Sequence, residues 1–189
     1  MKPWVRIVIG VVGGIALGGA AAFQGIRAGA SAATTMAGPW STWSALGSAD
    51  GSMRTRAVVA VRGLLALPSS EARYYTADVD DAGRPLEGRC RYRVTGGTMA
   101  TAWWTLTLYD TKSYLAGRGP YSVASGALPA AEQRAWTIRV SPDRQAGLWL
   151  PTAGLSRFDL TLRTYVPANG GTAGLSREEL PRIVRESCA

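Results

Sequence analysis

The chain has no histidine, and only two cysteines and two lysines among its 189 residues. Without histidine there is no Ser-His-Asp triad, no Cys-His pair and no histidine-ligated metal. Nor is there a Gly-x-Ser-x-Gly elbow or a phosphate-binding glycine loop. Asp78, Asp80, Asp81 and Gly83 have some of the spacing of a calcium loop. The twelfth position, however, is Arg89 where a bidentate Glu is required, so the segment reads as an ordinary acidic turn. No catalytic residue, cofactor site or metal site is assigned.

Charge is also sparse. Lys2, Arg6 and Arg27 account for three of the 21 basic residues and lie in or beside the first apolar segment. The remainder holds 18 basic against 13 acidic residues, a mild excess. Nucleic-acid binders concentrate basic charge in patches interleaved with aromatics, so a nucleic-acid partner is not expected. The preference for arginine over lysine fits genome base composition better than any ligand.

What the chain does have is an uncharged run of 20 residues from Ile7 to Ile26. As a helix it would extend roughly 30 Å, the thickness of a bilayer's hydrocarbon core. Two readings compete. It is a retained signal anchor, favoured by its length, or a signal peptide cleaved after Ala28-Gly29-Ala30, a small-x-small pattern. With Lys2 and Arg6 before the run and only Arg27 close after it, the positive-inside rule leaves the amino terminus in the cytoplasm. In a bacterial cell this predicts a single pass through the inner membrane and a domain in the periplasm. Gly10, Gly14, Gly18 and Ala22 recur every four residues, a row that permits close approach of a second helix.

About 159 residues follow the first 30, enough for one domain with a real core. The expected organisation is a membrane anchor or uncleaved signal over 1–27, a flexible tether over 28–51, and a β-sandwich over 52–189 that opens with a helix. Ser52 to Leu67 has helical periodicity at Met53, Ala57, Ala60, Val61 and Leu64, and Pro68 ends it. From Arg73 the period becomes two, with Tyr75, Ala77 and Val79 alternating with Tyr74, Thr76 and Asp78. Next, Cys90, Tyr92 and Val94 point one way while Arg89, Arg91 and Arg93 point the other. Further strands are expected at Thr101 to Tyr109, Tyr121 to Ser125, Trp136 to Val140 and Arg157 to Val166. The fold class is mainly β, an antiparallel sandwich of jelly-roll type with one short soluble helix, behind an N-terminal transmembrane helix.

Cys90 and Cys188 read as a disulfide if the domain is exported, with Cα atoms within about 7 Å. The segment Arg177 to Ala189 reads as a polar tail that the bridge would pin to the sheet.

Four motifs occur in order: Trp103-Trp104-Thr105-Leu106-Thr107-Leu108-Tyr109-Asp110, Trp149-Leu150-Pro151-Thr152, Phe158 to Pro167, and Leu180-Pro181-Arg182-Ile183. This series resembles the bacterial family called domain of unknown function 1214. Gly38-Pro39-Trp40, Leu64-Leu65-Ala66-Leu67, Glu71 and Tyr74-Tyr75 resemble its short membrane-anchored branch. Ser52-Met53-Arg54 departs from the pattern, where a proline and a tyrosine would be expected. The resemblance implies a jelly-roll β-sandwich with no settled activity. It also implies a partner of the 1254 type, encoded separately because this chain is too short to contain it.

Two surface constellations are candidates. Arg89, Arg91 and Arg93 form a basic stripe that lipid phosphates or an acidic partner could meet, or an ordinary solvated face. Trp103, Tyr109 and Asp110 with Asp159, Arg163 and Tyr165 would form a face for a sugar or other polar ligand if their strands are neighbours. The competing reading is a structural Arg-Asp pair with aromatic packing. Functionally, the expectation is a membrane-tethered envelope domain with a non-catalytic binding or accessory role. The alternative is an envelope hydrolase acting on lipid or glycan, with Asp110 and Asp159 as the only nominated carboxylate pair.

Overall fold

The structure, a computed structural model, describes residues 2–32, 34–43, 53, 56, 67–115, 119–168, 170 and 174–188. The first element is a helix, α1, over Pro3–Ala32. Its stretch Pro3–Gly25 is long and apolar enough to cross a membrane, with a mean hydropathy of 1.9 and no residue buried in the chain. A Cβ at Gly10, Gly14 or Gly18 would meet nothing within 4 Å. The expected soluble helix at 52–67 lies outside the described residues except for Met53 and Arg56, both helical, and Leu67.

Among the described residues ten strands follow: β1 Thr34–Ala37, β2 Trp40–Trp43, β3 Ala72–Ala77, β4 Cys90–Gly97, β5 Thr101–Asp110, β6 Ser122–Ala124, β7 Ala135–Ser141, β8 Leu148–Pro151, β9 Phe158–Pro167 and β10 Arg182–Cys188. They form two sheets, ordered β1-β2-β3-β9-β5-β6 and β10-β4-β7-β8. The expected sandwich is therefore present. Every pairing is antiparallel except β7 with β8, which run parallel, so the smaller sheet is mixed.

Two-residue alternation builds the core. One face of the larger sheet supplies Tyr75, Trp104, Leu106, Leu108, Phe158, Leu160 and Leu162, and the smaller sheet supplies Tyr92, Val94, Trp136, Ile138, Val140 and Leu150, all buried. Trp104 and Trp136 meet at 4.5 Å between ring centroids, and Tyr92 meets Phe158 edge-on at 5.7 Å.

Two expectations fail here. The tether expected over 28–51 is not simply a linker, because β1 and β2 form a hairpin around Gly38 and β2 pairs with β3. Gly38 has φ 64°, a conformation glycine adopts without steric cost. Trp40, fully buried, anchors this hairpin, and one large apolar side chain outweighs the bland composition around it. Nor is the C-terminal segment a loose polar tail. β10 pairs with β4, and its Ile183 is fully buried. Exposed Arg and Glu on the other side of an edge strand make a strand look like a tail when read without its neighbour.

Cys90 and Cys188 face each other across β4 and β10 and are bridged, with Cα atoms 4.0 Å apart. A loop with a sequence separation of 98 is thus closed covalently.

Candidate functional site

Alternation along β9 turns Phe158, Leu160 and Leu162 inward and leaves Asp159, Thr161, Arg163 and Tyr165 on the outer face of the larger sheet. Its neighbour β5 is in register: Trp103 lies opposite Tyr165, Thr105 opposite Arg163, Thr107 opposite Thr161 and Tyr109 opposite Asp159. The condition on which the ligand face depended, that these two strands be neighbours, is met. Five of the six candidate ligand-face residues thus share one surface.

Trp103 and Tyr165 stack at 4.2 Å with their planes 8° apart. Arg163 Nη2 donates to the Tyr109 hydroxyl at 2.6 Å, and Nη1 donates to Thr107 Oγ1 at 3.2 Å. The same guanidinium sits over the rings of Tyr109 and Tyr74, 5.3 and 5.9 Å from their centroids. Arg163 therefore has polar and aromatic partners of its own. The structural pair expected in the alternative reading was Arg with Asp. The observed one is Arg with Tyr and Thr.

Asp110 departs from the group. It lies opposite Phe158, one step out of phase, and its Oδ1 accepts the backbone N–H groups of Lys112 and Tyr114, each at 2.9 Å. Its carboxylate holds the turn that ends β5, the usual job of an Asp at such a position. Asp159 is different. Burial, followed by the negative charges of Asp78 and Asp110, pushes its carboxyl up to about 6, against a hydrogen bond with Thr161 that works the other way. Asp78 stands one step beyond the Ala77–Leu160 pair of β3 and β9.

Sequence reasoning missed Tyr74, Thr107 and Asp78 as members of this face. The alternation of β3 separates Tyr74 and Asp78 from Tyr75 and Ala77. Nothing local says that β3, rather than a later strand, lies beside β9. Across the middle of the face runs a row of hydroxyls. Thr76 and Thr161 are 3.4 Å apart, and Thr107 donates to Ser122 at 3.1 Å. Thr107 and Thr161 are buried, so the reachable parts are the two ends: the Trp103–Tyr165 stack and the region of Asp159. Chemically the reachable face offers aromatic stacking at one end and, at the other, one half-buried carboxyl raised to about 6.

The basic stripe is paired. Arg89 meets Glu87 at 2.9 Å, Arg91 meets Asp143 at 2.7 Å, and Arg93 meets Glu186 at 3.2 Å, with Arg139 on the same glutamate at 3.5 Å. This is the solvated, ion-paired outer face of the smaller sheet, along β4 and its approach. The acidic turn is likewise engaged within the fold: Asp80 accepts the backbone N–H groups of Ala82 and Arg84 and the Arg84 side chain, and Asp81 accepts the Ile183 N–H and pairs with Arg177. Burial alone would raise the Asp80 carboxyl, but its own hydrogen bonds hold it below its usual range. Among the described residues no cluster of three or more His, Cys, Asp or Glu could hold a metal ion.

The family model described as a protein of unknown function, DUF1214, matches residues 71–169, from the turn before β3 to the end of β9. The chain belongs to the DUF1214 family. All six ligand-face residues fall inside the DUF1214 match. Cys188 and the β1–β2 hairpin fall outside it. A crystal structure of a Vibrio parahaemolyticus protein shares the fold, with a TM-score of 0.59 and 21% identity over 73% of this chain and 36% of its own. A crystal structure of an uncharacterised Burkholderia cenocepacia protein aligns at 20% identity and a TM-score of 0.42, over 63% of this chain and 30% of its own. The chain thus spans about a third of the length of the solved structures it matches. No curated protein matches it.

Proposed function

We propose that this DUF1214 protein is a membrane-tethered envelope domain with a binding or accessory role. It would be held by α1 in the inner membrane with its amino terminus in the cytoplasm and its sandwich in the periplasm, and would act with a separately encoded partner of the 1254 type. The observation that carries this reading is the combination, in one chain, of a helix fit to cross a membrane and a β-sandwich closed by the Cys90–Cys188 disulfide. Disulfides persist in oxidising compartments, which supports an exported domain. Arg6 and Lys2 ahead of the apolar stretch support the orientation. A binding role suits a face whose arginine is already engaged by Tyr109 and Thr107. The test is a pull-down of the full chain from detergent-solubilised membranes. Enrichment of a 1254-type protein is expected, and its repeated absence after crosslinking sinks the partner assignment.

One observation favours a second reading. A carboxyl at about 6, with Asp78 and Asp110 near it, has the character of a general acid in an envelope hydrolase acting on lipid or glycan. Turnover of an envelope lipid or glycan by the full chain, abolished by Asp159→Asn, would establish that reading. No turnover across such substrates would leave the binding role.

A further inference from the structure

We propose that one end of the larger sheet, marked by the Trp103–Tyr165 stack, Val166 and Leu67, rests on the lipid headgroup layer of the membrane that α1 enters. The proposal builds on the tethered reading above and adds a docked orientation to it. Three observations carry it.

The first is the path of the chain. The membrane-crossing stretch ends at Gly25, and α1 continues only to Ala32 before β1 begins at Thr34. Seven further residues of helix advance about 10 Å at 1.5 Å each, so the start of β1 lies close above the headgroups. The second is register. Thr34 pairs with Trp43 on β2, and β2 pairs with β3 so that Trp43 lies toward the Ala72 end of β3. Ala72 pairs with Tyr165, and Tyr165 with Trp103. The stack therefore lies at the end of the sheet where the chain enters from α1. The third is exposure. Trp103 is 43% exposed, Val166 56% and Leu67 45%, a group of large apolar side chains left in water at that end.

Tryptophan and tyrosine favour the bilayer interface because an apolar ring and a polar N–H or O–H both find partners there. The opposite end also exposes apolar groups, Tyr114 and Leu115, just beyond the far end of β5. They sit beside Tyr109 and Asp110, and the advance from Trp103 to Asp110 along β5 at about 3.3 Å per residue puts them roughly 20 Å from the stack. Path and register together, rather than apolarity, select the end that meets lipid.

Nitroxide labels at Val166→Cys, Lys112→Cys and Leu17→Cys, one per protein, test this in the full chain. The protein is embedded in phosphatidylethanolamine–phosphatidylglycerol vesicles, and each variant is first shown by mass to retain the Cys90–Cys188 bridge. Collisions with oxygen, enriched in lipid, and with a water-soluble nickel complex are then compared. The expected result is a severalfold higher oxygen-to-nickel ratio at 166 than at 112, with 17 higher still. Equal, water-like ratios at 166 and 112 with a lipid-like label at 17 overturn the docking while the tether stands. Shielding of 166 from both relaxers places protein there and also overturns it. A water-like label at 17 removes the tether and the docking with it.

Discussion

Trp40 donates its indole N–H to the carbonyl oxygen of Pro181 at 2.7 Å, in the fully buried interior, across a separation of 141 residues. The bond ties the hairpin nearest α1 to the chain just before β10. Arg177 reinforces the joint by donating to the carbonyl oxygens of Leu180 and Pro181 and by an ion pair with Asp81. The two ends of the domain are thereby held by the same few residues.

Trp40→Phe keeps most of the buried area but removes the donor. A cost of about 1 kcal/mol is expected, at the low end of the penalty for an unsatisfied carbonyl because Arg177 also reaches Pro181. Trp40→Ala should cost about 3–5 kcal/mol. Urea unfolding of the full chain in detergent measures both, and equal midpoints for the two variants would contradict the assignment.

Loss of the disulfide should be felt globally. In the chain-entropy account, closing a loop of this length stabilises by up to about 4–5 kcal/mol, and engineered cases commonly deliver less. The paired change Cys90→Ser with Cys188→Ser is expected to lower the melting temperature. A thiol assay of the exported, non-reduced protein should find no free thiol, and two titratable thiols would refute the bridge.

Asp159 makes stability fall as pH rises through 6. Its folded carboxyl titrates at about 6, raised by burial and then by Asp78 and Asp110, whereas the unfolded carboxyl titrates near 3.9. Between those values the folded state binds more protons, so the unfolding free energy decreases with increasing pH. The group keeps part of its hydration, so solvent screening discounts the effect to about 1–2 kcal/mol. Asp159→Asn should stabilise by about that amount at pH 8 and by almost nothing at pH 4. Denaturation at the two pH values, with a gain only at the lower one, would refute the sign.

Gly96 pairs with Trp136 across β4 and β7, and the indole lies over the glycine where a Cβ would stand. The Trp136 N–H donates to the Gly97 carbonyl at 3.1 Å, which fixes the ring there. Gly96→Ala must push the ring off this seat and against Trp104, at an expected cost of about 1–3 kcal/mol. Thermal unfolding checks it, with Gly126→Ala, where a Cβ meets nothing within 4 Å, as the silent comparison.

Much of this architecture is legible along the chain because strands with one wet face carry a two-residue alternation of apolar and polar side chains. β4 shows it in Cys90, Tyr92 and Val94 against Arg91 and Arg93, and β9 in Phe158, Leu160 and Leu162 against Asp159 and Arg163. The apolar run of α1 and the pairing of the only two cysteines are equally local or arithmetic facts. The strands that escaped notice are short or lie at a sheet edge. β1 and β2 hold four residues each in a Ser- and Thr-rich stretch, and β10 shows charge on its open side.

The candidate face divides in the same way. Alternation along β9 alone places Asp159, Arg163 and Tyr165 on one side. That Trp103 stacks on Tyr165 and that Arg163 serves Tyr109 and Thr107 were decided only by the register of β5 against β9. Asp110, by contrast, turns away for a local reason, as the residue after Tyr109 on β5 and the acceptor of its own turn. Register depends on contacts between residues some 50 positions apart, such as Tyr109 and Asp159. A one-residue slip would exchange every inward and outward side chain. The pairing of the arginine stripe with Glu186 likewise required β10 to lie beside β4. Periodicity is written in the covalent order of the chain, whereas the identity of a neighbour across a sheet is a property of the packed core.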